Sequence, residues 1–216
     1  MKSLHRAGIY EKYVKRLLDL VGSAVFLLLF GWLYAVVAVL VRIKLGKPVL
    51  FRQPRPGKDE KIFDLYKFRT MTDARDACGN YLPDEKRLPP FGNLLRSLSM
   101  DELPEIWLIF LGKMSFVGPR PLLPRYLDRY NAHQHRRHEV KPGLTGYAQV
   151  HGRNALSWEE KFDMDVWYVD HLSFWVDMKI LMDTVKVVAR REGISSDTSV
   201  TMEEFMGTSP EEQVNG

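Results

Sequence analysis

The pattern of hydrophobic and polar positions divides the chain near residue 45. From Leu20 to Val41 runs LVGSAVFLLLFGWLYAVVAVLV, 22 residues without a charge. That length can cross a hydrocarbon core as a helix, and an apolar surface all round does not suit an exposed helix of a small soluble domain. After it the pattern shortens. KPVLFRQPRPGKDEKIFDLYKFRTM predicts two short strands about a turn marked by Pro54, Pro56 and Gly57, with IFDLYKF alternating apolar and polar residues. Residues 72–90 are polar and turn-rich and read as a loop. FGNLLRSLS and residues 101–112 each predict a short amphipathic helix, and the prolines of FVGPRPLLPRYLDRY fix a rigid turn before a polar helix. VKPGLTGYAQVHGRN predicts a short strand among turns, and residues 157–171 and 174–191 two more helices. The tail from Gly193 is polar and expected to be loosely held. The fold class expected is α+β, mostly α. An N-terminal membrane-inserted helix (1–45) and interfacial amphipathic helices would carry a small cytoplasmic globular domain (46–192) with a polar tail (193–216).

Charge sharpens the membrane reading. Residues 1–60 hold eleven Lys and Arg against four Asp and Glu, whereas residues 192–216 hold six acidic residues and no basic one. A basic front faces phosphate, in lipid headgroups or nucleic acid. Arg6, Lys12, Lys15 and Arg16 precede the apolar run, and Arg42, Lys44, Lys47 and Arg52 follow it. The positive-inside tendency holds both flanks on the cytoplasmic side, which favours a re-entrant, monotopic helix bending near Gly31 over a full span. Asp19 is spaced to pair with Lys15 or Arg16 on a helix. The single cysteine, Cys78, permits no intrachain disulfide.

The candidate chemistry centres on SMDELPEIWLIFLG, where Asp101 and Glu102 stand side by side. Ser99 and Glu102 fit a capping box, and Pro104 suits a first helical turn, so the acids could simply start a helix. A carboxylate held at a helix start can also serve as a nucleophile or metal ligand; two of them with a divalent cation would suit phosphoryl transfer. Lys67, Arg69, Arg96, Arg120 and Arg153 each lie beside turn or Gly/Pro residues. Together they look like a clamp for a diphosphate. The run HQHRRHE lacks zinc spacing and reads as a basic face near phosphate. Nothing matches G-x-x-x-x-G-K-[ST], G-x-G-x-x-G or H-E-x-x-H, which argues against a P-loop NTPase, a dinucleotide enzyme and a zincin.

KRLLDL, FRQPRPG, YKFRTM, LLRSLSMDELPE, GKMSFVGPRPLL, VKPGLTGYAQVHGRN and WYVDHLSFWVDMKIL, in this order, resemble the monotopic phosphoglycosyl transferases, the bacterial sugar transferase family, in their minimal catalytic form. The resemblance implies transfer of a sugar 1-phosphate from a UDP-sugar to polyprenyl (undecaprenyl) phosphate with release of UMP, the first membrane step of glycan assembly. It implies Asp101 as the nucleophile that forms a covalent phosphosugar intermediate, with Glu102 positioning Mg²⁺ or assisting. The metal ligands would be Asp101 and Glu102. Lys67, Arg69, Arg96, Arg120 and Arg153 would bind substrate, and Asp177 matches a family acid near the site. The likeness leans toward UDP-N-acetylated amino sugars, including N,N′-diacetylbacillosamine, with a UDP-hexose as the alternative. It implies the cytoplasmic face of the bacterial inner membrane, lipid contact, and no nucleic-acid partner. Downstream glycosyltransferases and a second copy of the chain are further candidate partners. A competing class is a non-catalytic membrane-bound interaction protein, against which the intact Asp-Glu dyad argues. One departure stands out: close relatives carry Ser-Pro at the helix break where this chain has Gly31-Trp32, and glycine permits a kink that proline forces.

Overall fold

The computed structural model describes residues 5, 7–152, 156–190 and 204–207. After one π-helical turn, Tyr10–Lys15, the apolar segment forms α1, Arg16–Lys44. Its opposite faces meet different surroundings. Phe26 and Leu27 pack on a core of Phe63, Leu65, Ile106, Leu108, Ile109 and Met114, while Val37 and Val41 join Phe68 and Leu95. Leu28, Leu29 and Trp32 are exposed on the other side. Only 11% of the most apolar window is buried within the protein, which does not describe the core helix of a soluble domain. The helix contacts the domain from Lys15 to Val41, about 39 Å of axis at 1.5 Å per residue.

α1 is helical without interruption through Gly31 and Trp32, so the break expected at Gly31 is absent. Glycine leaves the ladder of hydrogen bonds intact where proline would remove one. The flanking charges are also used differently from the expectation. Asp19 pairs with neither Lys15 nor Arg16; it accepts from Ser115 Oγ and the Phe116 N–H, both at 3.0 Å. Lys15 instead reaches Asp177 at 2.6 Å. Arg16 donates to the carbonyls of Ile109 and Phe110, each at 2.9 Å. Arg6 lies outside the described residues.

The predicted hairpin forms as β1, Leu50–Pro56, paired antiparallel with β2, Ile62–Phe68. Strand alternation places Phe51, Gln53 and Arg55 on one face with Lys67, which is registered opposite Phe51. The polar loop that follows contains one helical turn, α2 (Asp84–Arg87), and leads into α3 (Pro90–Ser97) and α4 (Leu103–Phe110). Leu94 of α3, Trp107 of α4 and Leu111, which follows α4, are exposed apolar positions beside α1. β3 (Ser115–Val117) runs parallel to β4 (Gly143–Thr145), a pairing across 28 residues that local pattern does not announce. α5 (Ala132–His135) and α6 (Tyr147–Val150) are single turns; α7 (Trp158–His171) and α8 (Phe174–Arg190) match the two predicted helices.

Two further expectations change. HQHRRHE is an internal tie rather than a free basic face: His135 meets Glu60 at 2.5 Å, Arg137 meets Asp165 at 2.6 Å, and Arg136 meets Asp170. The tail is held where it is described. Phe205 is 2% exposed among Tyr126, Tyr130 and Phe162, and Glu204 pairs with Arg125 at 2.9 Å and Arg129 at 2.8 Å. Burying one aromatic ring is worth a few kcal/mol, enough to fix a polar segment in place.

Candidate functional site

Asp101 and Glu102 lie in a single 3-10 turn, Met100–Glu102, that leads directly into α4. The capping box does not form. Ser99 adopts a left-handed conformation, φ 53°, and its side chain caps nothing. Pro104 does occupy the first turn of α4, as expected. The Glu102 side chain turns into the site, where its Oε1 accepts from Lys67 Nζ at 2.5 Å and Arg120 Nη2 at 2.6 Å. A carboxylate with two cations on one oxygen is a better electrostatic arrangement than a bond to one backbone amide.

Each cation is delivered by a different element. Lys67 stands near the end of β2. Arg96 lies on α3, one turn after Gly92, and donates from Nε to Thr70 Oγ1 at 3.0 Å. A side chain at Gly92 would meet the Thr70 carbonyl oxygen at 1.9 Å, so only glycine lets α3 sit this close. Arg120 belongs to the Gly118–Pro121 loop, which Gly118 seals by donating to the Thr145 carbonyl at 2.9 Å. Beneath that loop Arg137, itself 2% exposed, donates to the Arg120 carbonyl at 2.7 Å and to Asp165.

The two acids of the pair are held differently. Burial pushes the Asp101 carboxyl up and the neighbouring Glu102 charge adds to this, while Lys67 and Arg96 pull the other way. Burial would raise Glu102 as well, but Arg120 and Lys67 outweigh it and hold that carboxyl well below its ordinary range. Glu102 is thus the fixed anion. Asp101, 9% exposed, is left as the more basic of the two carboxylates.

A cavity of about 1430 Å³ opens over this pair. Its wall includes Asp101, Glu102, Lys67, Arg69, Arg96 and Arg120, so six of the eight residues singled out in the sequence share one cavity. They are not equivalent. Arg69 spends its guanidinium on the carbonyls of Met71 (2.7 Å) and Lys47 (2.6 Å) and on Asp73 (2.7 Å), which makes it a brace for the cavity rim rather than a free ligand for substrate. Asp177 is elsewhere: 2% exposed, it accepts from Lys15 at 2.6 Å and from Tyr10 and Tyr168 at 2.7 Å each, tying α8 to the start of α1. Arg153 lies outside the described residues. No group of three or more His, Cys, Asp or Glu side chains with metal-binding geometry occurs among the described residues.

Two charged neighbours escaped the sequence reading. Glu105, 3% exposed, lies 3.2 Å from Lys67, making that lysine a bridge between two carboxylates. Burial and the Glu102 charge push its carboxyl up against the pull of Lys67. The spacing was a usable signal, since a residue three after Glu102 shares its helix face. Arg55 also faces the cavity, on the strand face that alternation assigns to it.

The match to the bacterial sugar transferase family covers residues 10–191. The chain belongs to that family. Among relatives of this transferase, an uncharacterized sugar transferase, EpsL, of Bacillus subtilis (strain 168) is 53% identical over 195 residues, 90% of this chain and 96% of the relative. A galactosyl transferase, CpsE, of Streptococcus agalactiae serotype III is 37% identical over 188 residues, 81% of this chain and 42% of the relative. A UDP-glucose:undecaprenyl-phosphate glucose-1-phosphate transferase of Klebsiella pneumoniae is 36% identical over 181 residues, 79% of this chain and 39% of the relative. The transferase therefore spans nearly the whole Bacillus relative and under half of the longer ones.

Proposed function

We propose that this transferase moves a sugar 1-phosphate from a UDP-sugar to undecaprenyl phosphate, giving undecaprenyl-diphosphate-sugar and UMP. The observation that carries the reading is the Asp101–Glu102 pair, Asp101 buried and Glu102 half-buried, ringed by Lys67, Arg96 and Arg120 in one cavity beside the apolar α1. Both substrates are anions, so the cations offset the charge that bringing them together concentrates. An Asp101 oxygen attacks the β-phosphorus of the donor; the new O–P bond forms as the bond to the bridging oxygen breaks and UMP leaves with that electron pair. A phosphate oxygen of the lipid then attacks the same phosphorus and returns the Asp101 carboxylate. Splitting the transfer in this way keeps the two anionic substrates from having to react directly.

Mg²⁺ fits as a partner of the donor rather than as a resident ion. Asp101 and Glu102 supply two carboxylates, and Mg²⁺ commonly takes one or two of these plus substrate phosphates. When bound it would neutralise diphosphate charge.

Two of the relatives above are named for galactose and glucose, and a third, of Aeromonas hydrophila, for N-acetylgalactosamine, so we keep hexose and N-acetylated amino-sugar donors together, with no preference for the bacillosamine derivative. For membrane placement we favour a monotopic insertion at the cytoplasmic face. A helix packed on its domain along about 39 Å cannot cross roughly 30 Å of hydrocarbon without drawing polar surface in with it. The reaction is tested by UMP release across a panel of UDP-sugars with undecaprenyl phosphate. Asp101→Asn should abolish release while leaving the protein in the membrane fraction; full turnover in that variant overturns the mechanism.

A further inference from the structure

Among the cations around the dyad, Arg55 has the least settled surroundings. Lys67 and Arg120 are committed to Glu102, and Arg137 to Asp165. The other arginine of the same strand, Arg52, faces the opposite side and pairs with Asp64 at 2.6 Å. Arg55 donates to Gln53 Oε1 at 2.6 Å, and its Nε is buried without a hydrogen-bond partner. Among the described residues no carboxylate lies within ion-pair distance of it. Its guanidinium is partly buried, faces the cavity that holds Asp101, and feels repulsion from Arg120. A buried donor left unmade costs about 1–3 kcal/mol, and a guanidinium near a second cation gains from any anion that arrives between them. Burial and Arg120 push the Arg55 guanidinium down to about 10, a direction that an arriving anion reverses.

The nucleotide donor brings two linked phosphates and the lipid acceptor one, so a cation beyond the dyad's own cage suits the donor. β1 leaves the end of α1 at Leu45 and Val49, which pack with Val37 and Val41 of that helix. Phe51 comes next, and Arg55 lies four residues further, about 13 Å along the strand. Arg55 is therefore at the turn end of the hairpin, where Lys58 pairs with Glu11 at 2.9 Å, and Lys67 is at the other end, opposite Phe51.

We propose that Arg55 is a phosphate-binding residue for the diphosphate of the nucleotide donor, supplying a guanidinium that has no carboxylate partner among the described residues and a buried Nε without a hydrogen bond. This rests on the UDP-sugar reading above. Gln53 holds the side chain in place, and the buried Nε gains its partner when the diphosphate binds.

The test is equilibrium binding of UDP and of uridine to the full chain in lipid nanodiscs, for wild type, Arg55→Gln, Arg55→Lys and Arg52→Gln, with thermal unfolding to verify folding. Arg55→Gln should weaken UDP binding roughly 10- to 100-fold, the range for one charge-assisted hydrogen bond, and leave uridine binding unchanged. Arg55→Lys should fall between it and wild type, and Arg52→Gln should match wild type. Unchanged UDP binding in both Arg55 variants overturns the inference alone, as does a parallel loss of UDP and uridine. So does an increase confined to the KM for undecaprenyl phosphate, which would assign Arg55 to the acceptor. A wild-type protein that binds no UDP overturns the donor reading and this inference with it.

Discussion

The hydroxyl of Tyr34, halfway along α1, donates to the carbonyl oxygen of Leu103, the residue that follows Glu102. At the far end of the same short helix, Arg16 of α1 caps the carbonyls of Ile109 and Phe110. The apolar helix thus grips the dyad helix at both ends and is part of the site's framework as well as an anchor. Tyr34→Phe removes one hydrogen bond, about 1 kcal/mol. It should lower the UMP release rate several-fold with little change in the KM for the UDP-sugar, and leave membrane fractionation intact. Wild-type turnover in this variant would show that the bond positions nothing.

Lys67 bridges Glu102 and the more deeply buried Glu105. Lys67→Met leaves Glu105 without its cation and Glu102 with Arg120 alone, and should cost about 3 kcal/mol, the low end of the range for breaking a buried ion pair. Adding Glu105→Gln removes one stranded charge, so the double variant should be more stable than Lys67→Met alone. Denaturant unfolding of the four forms measures the coupling; strictly additive effects would contradict the bridge.

His138 is 6% exposed, and burial, with Arg137 beside it, pushes its imidazole from 6.5 down to about 3. The unfolded chain takes up this proton near 6.5 while the folded chain refuses it until about 3. Stability from this group is therefore present above 6.5 and lost as the pH falls from 6.5 toward 3, by about 1.4 kcal/mol per pH unit. Unfolding free energies at pH 7 and pH 5 should differ less for His138→Gln than for wild type. Equal differences would mean that His138 is not neutral in the folded protein.

Ser99 turns the chain into the dyad with φ 53°, a conformation costing a non-glycine residue about 1–2 kcal/mol. Ser99→Gly should keep or slightly raise stability and activity. Ser99→Val, branched at the carbon that meets the backbone, should lower both, read as melting temperature and UMP release.

Phe205 packs against Tyr126 and Phe162 at ring-centroid distances of 5.7 and 4.9 Å. Phe205→Ala should cost about 3–5 kcal/mol through the cavity left behind, and protease should then cut the C-terminal segment faster. An unchanged melting temperature would mean the ring is not seated in solution.

Much of the architecture was legible in the chain. The uncharged run from Leu20 to Val41 announced α1 and the alternation in IFDLYKF announced β2, because local pattern records which face of an element is buried; the stretches 157–171 and 174–191 read as the helices α7 and α8. The Asp101–Glu102 pair and most of its cations were also visible, as charged residues set among turns.

Partner choice was not visible, because hydrogen bonds and ion pairs form between residues far apart in sequence and compete for the same oxygen. Ser99 and Glu102 have the spacing of a capping box, yet Lys67, 35 residues away, and Arg120, 18 residues away, claim the Glu102 carboxylate. Asp19 could have paired within its own helix but found Ser115, and Asp177 looked like a site residue but closes on Lys15. The sequence by itself determined the elements, the membrane-seeking helix and the residues able to do the chemistry. Only the tertiary structure decided which carboxylate is fixed as the anion and which is left the more basic, since burial and the placement of cations around each oxygen exist only once distant segments have packed together.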